Sequence, residues 1–414
     1  MVHTERSARE RSGDRIGVVG IGHVGAAVAV GFASLGHHVT AVDTDGELID
    51  SLSSQRRASM TDATATELLA DLSVAGRLRF DTDLAALADA AVVCICVPTP
   101  NRADANVDLT AVTGCVDRLE PVLAAGSVIA IKSTVPVGTT ASIQDRLRRR
   151  DLHVVANPEF LTAARATHDF LHPDRIVIGS DHPDSAQRVA RLYESIDAPV
   201  LATDSRSAEL IKYATNAFLA VKVSFANEIA DLAATVGADT AAVLGGLSAD
   251  HRIGSGHLRP GLGWGGACLP KDTDAFTRFA ERAGTPLAIT EAAVSSNMHH
   301  IDRIAQQIDH ATRPESTIAV WGVPTTVGGC IDVASPATRI IRQLAALGHT
   351  IQAYGSTVDD TRLGAGIDTV RTPEEACEGA EVLAILTPML EYDTIDAAAL
   401  DVTVAYDIRQ ADLD

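Results

Sequence analysis

Across 414 residues there is no apolar run long enough to cross a bilayer, and no charged and apolar leader of the secretory kind at the N-terminus. These absences exclude a spanning helix and predict a soluble, cytoplasmic protein with no membrane partner. Cysteine is sparse: six thiols spread over this length predict a reducing compartment, not a disulfide framework. Positive charge is also short. The formal net charge is −20, which excludes nucleic acid or an anionic membrane as a bulk partner and leaves only local cationic sites. Lysine is nearly missing: Lys132, Lys212, Lys222 and Lys271 are the only four among 34 basic residues. Where arginine supplies generic charge so freely, a retained lysine points to a need for a compact, titratable amine. No cluster has the spacing of metal ligands. Cys94 and Cys96 share a strand face, and His168 and His172 a helix spacing, but neither pair has further ligands nearby, so no metal is expected.

Hydrophobic residues make up 46% of the chain and glycines number 31, enough to bury sizeable cores in two or three domains. The charged opening, residues 1–14, reads as a disordered tail. The first organised segment runs from Arg15 to Asp43. A β-branched run, Ile16 to Val19, precedes Gly20-Ile21-Gly22-His23-Val24-Gly25, and apolar residues at helical spacing continue to Leu35, where Gly36 closes the helix. A second strand, His38 to Val42, ends at Asp43, about twenty residues beyond the glycines, the place for a carboxylate on the ribose hydroxyls of NAD. Strand, glycines, helix, strand and acid in order predict a dinucleotide-binding unit; the glycines alone also fit a structural turn.

The α/β alternation continues. Strands at Ala91 to Val97 and Ser127 to Lys132 end in Pro98-Thr99-Pro100 and Ser133-Thr134-Val135-Pro136, both facing the crevice where open parallel sheets bind ligands. A strand from Val154 leads into Asn157-Pro158-Glu159-Phe160-Leu161, and another covers Arg175 to Ile178. From Ser207 through Val236 apolar residues recur at three and four without proline or internal glycine, which predicts a long helix able to link domains and carry a dimer interface. Lys212 and Asn216 share one face of it. A second helical stretch is read over Asp274 to Ile308. Beyond Arg313 strands return at Thr317 to Trp321, Thr350 to Tyr354, Val382 to Leu386 and Val402 to Tyr406, with a helix opening at Ser335-Pro336. The predicted fold is α/β: two doubly wound Rossmann-like domains, residues 15–203 and 313–414, joined by a central long-helix domain, residues 204–312.

Between the helical stretches lies Gly261-Leu-Gly-Trp-Gly-Gly-Ala-Cys268-Leu-Pro-Lys271-Asp272. A thiol attacks as thiolate, which the adjacent Lys271 favours, and bare glycine backbone admits a substrate carbon to the sulfur. The same segment also fits a glycine-rich loop around a buried, inert cysteine.

This loop, together with Ser133-Thr-Val-Pro-Val-Gly-Thr-Thr140, Asn157-Pro-Glu-Phe-Leu161 and Ala208-Glu-Leu-Ile-Lys-Tyr-Ala-Thr-Asn-Ala-Phe-Leu-Ala220, resembles the UDP-glucose/GDP-mannose dehydrogenase family in motif, order and spacing. The likeness is close from Arg15 to about Asp274 and holds in outline beyond. It implies a four-electron oxidation of a nucleotide sugar's primary alcohol with two NAD per turnover, Cys268 carrying the thiohemiacetal and thioester. It further implies that Lys212 and Asn216 stabilise oxyanions, that Asp272 and Thr134 position water, and that Glu159 is the acid/base for hydrolysis. Cofactor contacts fall to Gly20, Gly22, His23, Val24, Gly25, Asp43, Pro98, Thr99, Ser133, Thr134 and Lys271. Sugar and nucleotide contacts fall to Glu159, Phe160, Leu161, Lys212, Asn216, His257 and Gly265, and to Arg252, which in the family commonly reaches across a dimer interface. The C-terminal domain would hold the nucleotide, and a homodimer is expected.

The chain departs from the family in several places. The Arg-Glu-Gly usual after Asn-Pro-Glu-Phe-Leu is replaced by Thr162-Ala163-Ala164, removing a second carboxylate, and the aromatic before the cysteine loop is His257. The third domain lacks the Phe-Lys after its first strand, having Gly322-Val323-Pro324-Thr325, and Val333 takes the place of an arginine. The helix start at Ser335 and Arg409 are the remaining candidates for a diphosphate. Two other readings stay open: a two-electron β-hydroxyacid or alcohol dehydrogenase, which also places Lys and Asn four apart on a long helix, and an NAD-binding protein with weakened catalysis.

Overall fold

The computed structural model describes residues 13–54, 63–102, 104, 106–325, 331–355, 363–387, 389–395 and 400–408. The expected tail up to residue 12, and Arg409, lie outside them. The chain divides into two compact units between Tyr213 and Ala214.

In the first unit strands and helices alternate: β1 (Arg15–Val19), α1 (His23–Ser34), β2 (His38–Val42), α2 (Gly46–Ser53), α3 (Ala63–Val74), β3 (Leu78–Asp81), β4 (Val92–Ile95), α4 (Thr110–Leu119), β5 (Val128–Ile131) and α5 (Thr139–Arg146). There follow β6 (His153–Ala156), α6 (Ala166–Leu171), β7 (Ile176–Gly179), α7 (Pro183–Arg191), β8 (Val200–Thr203) and the start of α8 (Ser205–Val236). The eight strands line up as β3-β2-β1-β4-β5-β6-β7-β8. All pairs are parallel except β6 with β7, which meet through Ala156 and Gly179 alone. The chain thus builds outward from β1 in both directions, and the reversal between β1 and β4 leaves a crevice beyond their C-terminal ends. β4 and β5 are all-apolar and buried throughout, as strands covered on both faces must be. Side chains alternate between two cores: Val92 and Cys94 join Phe32 and Phe170 on one side, while Val93 and Ile95 join Leu87, Leu119 and Ile143 on the other.

The second unit contains the remainder of α8, then α9 (Thr240–Ser248), α10 (Leu269–Arg282), α11 (Ala288–His310), β9 (Thr317–Val323), α12 (Pro336–Ala346), β10 (Thr350–Gly355), β11 (Ile367–Val370), α13 (Pro373–Cys377), β12 (Val382–Ile385) and β13 (Thr403–Asp407). Its parallel sheet runs β11-β10-β9-β12-β13, again wound outward from its first strand. Trp321 and Tyr392 stack with centroids 5.1 Å apart in its core beside Ile340 and Leu344. The fold is therefore the expected pair of doubly wound sheets with a helical region between them in the chain.

One expectation changes. The helical stretch read over Asp274 to Ile308 is two helices, α10 and α11. Gly284 adopts a φ of +75°, which ends α10 in the left-handed turn that glycine tolerates best, and Pro286 has no N–H with which to continue a helix. α10 also starts five residues earlier than expected, at Leu269, with Pro270 in its first turn. No helix among the described residues is long and apolar enough to cross a membrane.

Candidate active site

The glycine turn after β1 has the spatial demands of a dinucleotide cradle. Gly20 sits at φ +88°. A Cβ at Gly25 would lie 1.7 Å from the carbonyl oxygen of Gly20, so α1 can approach the turn only as glycine, whereas a Cβ at Gly22 would meet nothing within 4 Å. That open space lies at the N-terminus of α1, where His23 and Val24 begin the helix and Gly22 caps it without a side chain. Backbone N–H groups and the positive end of the helix there suit a pyrophosphate. Asp43, just past β2, accepts hydrogen bonds from the N–H groups of Ile21 at 2.6 Å and Asp45 at 3.0 Å. A carboxylate offers about four acceptor sites, so it ties the turn together and retains capacity for ribose hydroxyls. Across the crevice the Thr99 hydroxyl donates to the Thr134 carbonyl at 2.9 Å, and the Ser133 hydroxyl to the Val97 carbonyl at 2.7 Å. These bonds join the strand ends that follow β4 and β5, with Pro98 exposed between them.

The turn after β6 carries Glu159. Its Oε1 lies 3.1 Å from Lys212 Nζ on α8, and its Oε2 accepts the Leu161 N–H at 2.7 Å. Both side chains of this ion pair are nearly buried. Burial opposes the carboxylate's charge, but the Lys212 ammonium and the Leu161 N–H outweigh it and hold Glu159 below the usual glutamate range. Glu159 is thus a charged base at neutral pH. The Phe160 ring, with the Arg175 guanidinium 3.9 Å from its centroid, flanks the pair, and Leu161 packs on the sheet core. Ala163 opens a short 3-10 turn and is exposed, leaving no acid at that position.

In the second unit the cysteine loop runs into α10. Cys268 is the N-cap of the helix and is exposed, so it is not walled off in apolar packing, and the helix's N-terminal end favours a thiolate there. Asp272, one turn on, is 2% exposed. Its Oδ2 accepts from Asn216 Nδ2 at 2.7 Å, and its Oδ1 lies 2.5 Å from Lys271 Nζ. Lys271 therefore shares its charge with Asp272. One N–H of the Asn216 amide is fixed by the carboxylate, leaving the second as a donor for an oxyanion. Along α8 itself, Lys212 and Asn216 lie one turn apart and both are buried.

The loop is braced by residues that sequence patterns did not single out. Asn297 on α11 accepts the Trp264 N–H at 2.8 Å and donates to the Trp264 carbonyl at 2.9 Å, while the indole N–H bonds Ser224 Oγ at 2.9 Å. His300 bonds the Gly261 carbonyl at 2.7 Å. A Cβ at Gly265 would come within 2.5 Å of Pro336 Cδ and 2.6 Å of the Ala334 carbonyl, so this glycine is required by close approach to the start of α12. Glu209 on α8 likewise escaped notice: it is buried and accepts the Gly138 and Thr140 N–H groups at 2.5 and 2.7 Å, capping α5 from a distance. Such partners are joined only by the fold, so no local periodicity announces them.

Two further expected substrate residues lie in the segment after α9. Arg252 is exposed and paired with Asp250. His257 is exposed, with φ 58°; partial desolvation of the ring and, after it, the Lys222 ammonium hold its imidazole below the usual histidine range. Ser335 caps α12, accepting the Thr338 N–H at 3.1 Å, and borders a cleft of about 740 Å³ among α10, α11 and α12 that also includes Trp264, Pro270, Met298 and Arg339.

Three domain families match the sequence in order: the UDP-glucose/GDP-mannose dehydrogenase family NAD binding domain over residues 14–197, its central domain over residues 206–299 and its UDP binding domain over residues 320–411. A UDP-glucose 6-dehydrogenase of Rhizobium meliloti is 36% identical over 406 residues, covering 94% of this chain and 93% of the relative. One of Bacillus subtilis is 34% identical over 397 residues, covering 93% and 90%. The solved structure of a UDP-glucose dehydrogenase from Pyrobaculum islandicum superposes with a TM-score of 0.86 at 29% identity, covering 98% of this chain and 99% of that one.

Proposed function

Because the chain belongs to the UDP-glucose/GDP-mannose dehydrogenase family, we propose that it oxidises the C6 alcohol of a UDP-glucose-like sugar to the uronic acid through a thiohemiacetal and a thioester on Cys268. It is an NAD-dependent dehydrogenase acting on a CH–OH group. The observation that carries the finer reading is an exposed thiol at the start of α10, one helical turn from a buried carboxylate that orients Asn216. Such a thiol has no packing role that alanine would not fill.

In this reading residues 15–203 hold the cofactor, 204–312 carry the chemistry and 313–414 take the nucleotide. NAD held at the glycine turn and Asp43 would supply the hydride acceptor for both oxidations, so that two NAD are used per alcohol. The chain's own residues do the rest. Cys268 sulfur adds to the aldehyde carbon, and the oxygen that gains charge is met by the Asn216 N–H and the Lys212 ammonium. After the second hydride leaves, water attacks the thioester, Glu159 takes its proton, the C–S bond breaks and Cys268 is restored as thiolate. One alcohol, two NAD and one water thus give one carboxylate, two NADH and three protons. Glu159 is suited to receive that proton because it starts charged. Asp272 serves by holding Asn216, since both of its oxygens are engaged. Thr134 belongs to the bonded strand ends beside the cofactor crevice.

A homodimer in the cytoplasm completes the reading. Phe218, Phe225 and Leu232 recur every seven residues on α8 and remain 63%, 46% and 57% exposed, a stripe that a second copy of the helix would cover. Arg252 would then meet substrate from the partner. The test is to incubate the protein and NAD with a panel of UDP-, GDP- and TDP-sugars, following NADH absorbance and product mass. A product 14 Da heavier than one UDP-hexose supports the reading, that mass being two hydrogens exchanged for one oxygen. No product across the panel, or aldehyde alone, overturns it.

A further inference from the structure

Lys132 stands at the end of β5 and is buried, yet its three hydrogen bonds all run to uncharged oxygens. These are the Asn157 carbonyl at 3.2 Å, Asn157 Oδ1 at 3.3 Å and the Tyr193 hydroxyl at 3.3 Å. Asn157 is fixed in turn: it accepts from the Tyr193 hydroxyl at 2.7 Å, donates from Nδ2 to the Val177 carbonyl at 2.9 Å and from its own N–H to the Ile131 carbonyl at 2.9 Å. A buried ammonium held only by neutral groups is costly. The thiols nearby do not relieve it, because burial pushes Cys94 up to about 11 and holds Cys96 well above the ordinary thiol value, and burial likewise keeps the Tyr193 phenol protonated.

Its charge acts on Glu159, two residues beyond Asn157 in the same turn. The charged and titratable groups that act on Glu159 are Lys212 from α8, Lys132 from the end of β5 and Cys96 past β4, with Arg175 ahead of β7 on the Phe160 ring; Cys94 and Tyr193 face Lys132. Of the two lysines, only Lys212 touches the carboxylate. In the reaction described above, Lys212 must also serve the substrate oxyanion, and a nearly buried carboxylate deprived of its one contact cation is strongly destabilised. We propose that Lys132 is a positioning residue that locks the turn from Asn157 to Leu161 and supplies the second cation that stays with Glu159 when Lys212 turns to the substrate. This rests on the reading of Glu159 and Lys212 under Proposed function.

The test uses the full-length protein with NAD and UDP-glucose. Lys132→Gln keeps hydrogen-bond donors for the Asn157 and Tyr193 oxygens but removes the charge; Lys132→Met removes both. For Lys132→Gln the expected result is wild-type folding and NAD affinity within about threefold, with the acidic limb of kcat moved up by about one pH unit, roughly tenfold in rate within that limb. A merely structural lysine would not move that limb once the donors are kept. A Lys132→Gln profile that overlays the wild type overturns the proposal, as does failure of both variants to fold, which would make Lys132 a structural staple alone. Independently of turnover, the infrared difference between wild type and Glu159→Gln reports the carboxylate's titration, expected to shift upward when Lys132→Gln is introduced. If UDP-glucose is not oxidised, the reading of the reaction falls, and the infrared titration alone decides: an unmoved Glu159 overturns the role of Lys132.

Discussion

Replacing Asp272 by asparagine tests whether the carboxylate under the cysteine loop is the anchor described. Its two oxygens serve Lys271 at 2.5 Å and Asn216 at 2.7 Å. An amide in its place can accept from one of them but must turn donors toward the other. Removing one partner of a buried ion pair typically costs ~3–5 kcal/mol. The Lys271 side chain keeps 23% exposure, so water recovers part of this, and about 2–3 kcal/mol is expected. At about 2–4 °C per kcal/mol for a unit of this size, the thermal midpoint should fall by about 4–12 °C. The assay is thermal unfolding of wild type, Asp272→Asn, Lys271→Met and the double variant. Removing the stranded ammonium in the double variant should restore more than half of the loss, giving a sizeable coupling energy. A single variant within about 1 °C of wild type, or a double variant no more stable than Asp272→Asn, would refute the pairing as an energetic element.

The second and third glycines of the turn should separate fold from cofactor binding. Gly22→Ala, with nothing within 4 Å of the new methyl, should leave the apoprotein's midpoint unchanged and raise the KM for NAD by about tenfold or more, because that space is where pyrophosphate approaches. Gly25→Ala, whose Cβ would lie 1.7 Å from a carbonyl oxygen, should lower both stability and NAD affinity. Glu159 is held below its ordinary value of 4.5 in the folded state; its charge therefore stabilises the fold above that value and the stabilisation is lost as pH falls through the lower folded value. Glu159→Gln should accordingly flatten the fall of the thermal midpoint below about pH 4.5, and an unchanged slope would contradict the Glu159–Lys212 pair. Phe225→Asp on the exposed stripe of α8 should shift the mass measured by light scattering toward the monomer, and an unaltered mass would place the interface elsewhere.

Much of the first sheet was legible because its signals are local. The glycine turn, the acid after β2 and the all-apolar runs of β4 and β5 each express their role within a few residues. The long helix announced itself by periodicity and by the absence of breakers. The helical stretch expected across residues 274–308 divides at Gly284 and Pro286, where two breakers with one residue between them outweigh apolar spacing that continues on both sides. In the site, Lys212, Asn216, Cys268 and Asp272 were legible as residue types. That Asp272 would turn one oxygen to Asn216 was not, because that pairing spans 56 residues of chain. The same holds for Asn297 against Trp264, Glu209 capping α5 and buried Lys132 bonded to Asn157 and Tyr193: each is a lone polar residue whose partner is chosen by packing.

The claim on which the chemistry rests is that one sulfur holds the sugar between two oxidations. It is tested most directly by the moles of NADH formed per mole of nucleotide sugar consumed, measured for wild type and for Cys268→Ser. The expected ratios are two for the wild type and one, with a stalled second oxidation, for the variant. A ratio of one in the wild type, or a ratio of two at undiminished rate in Cys268→Ser, would contradict it.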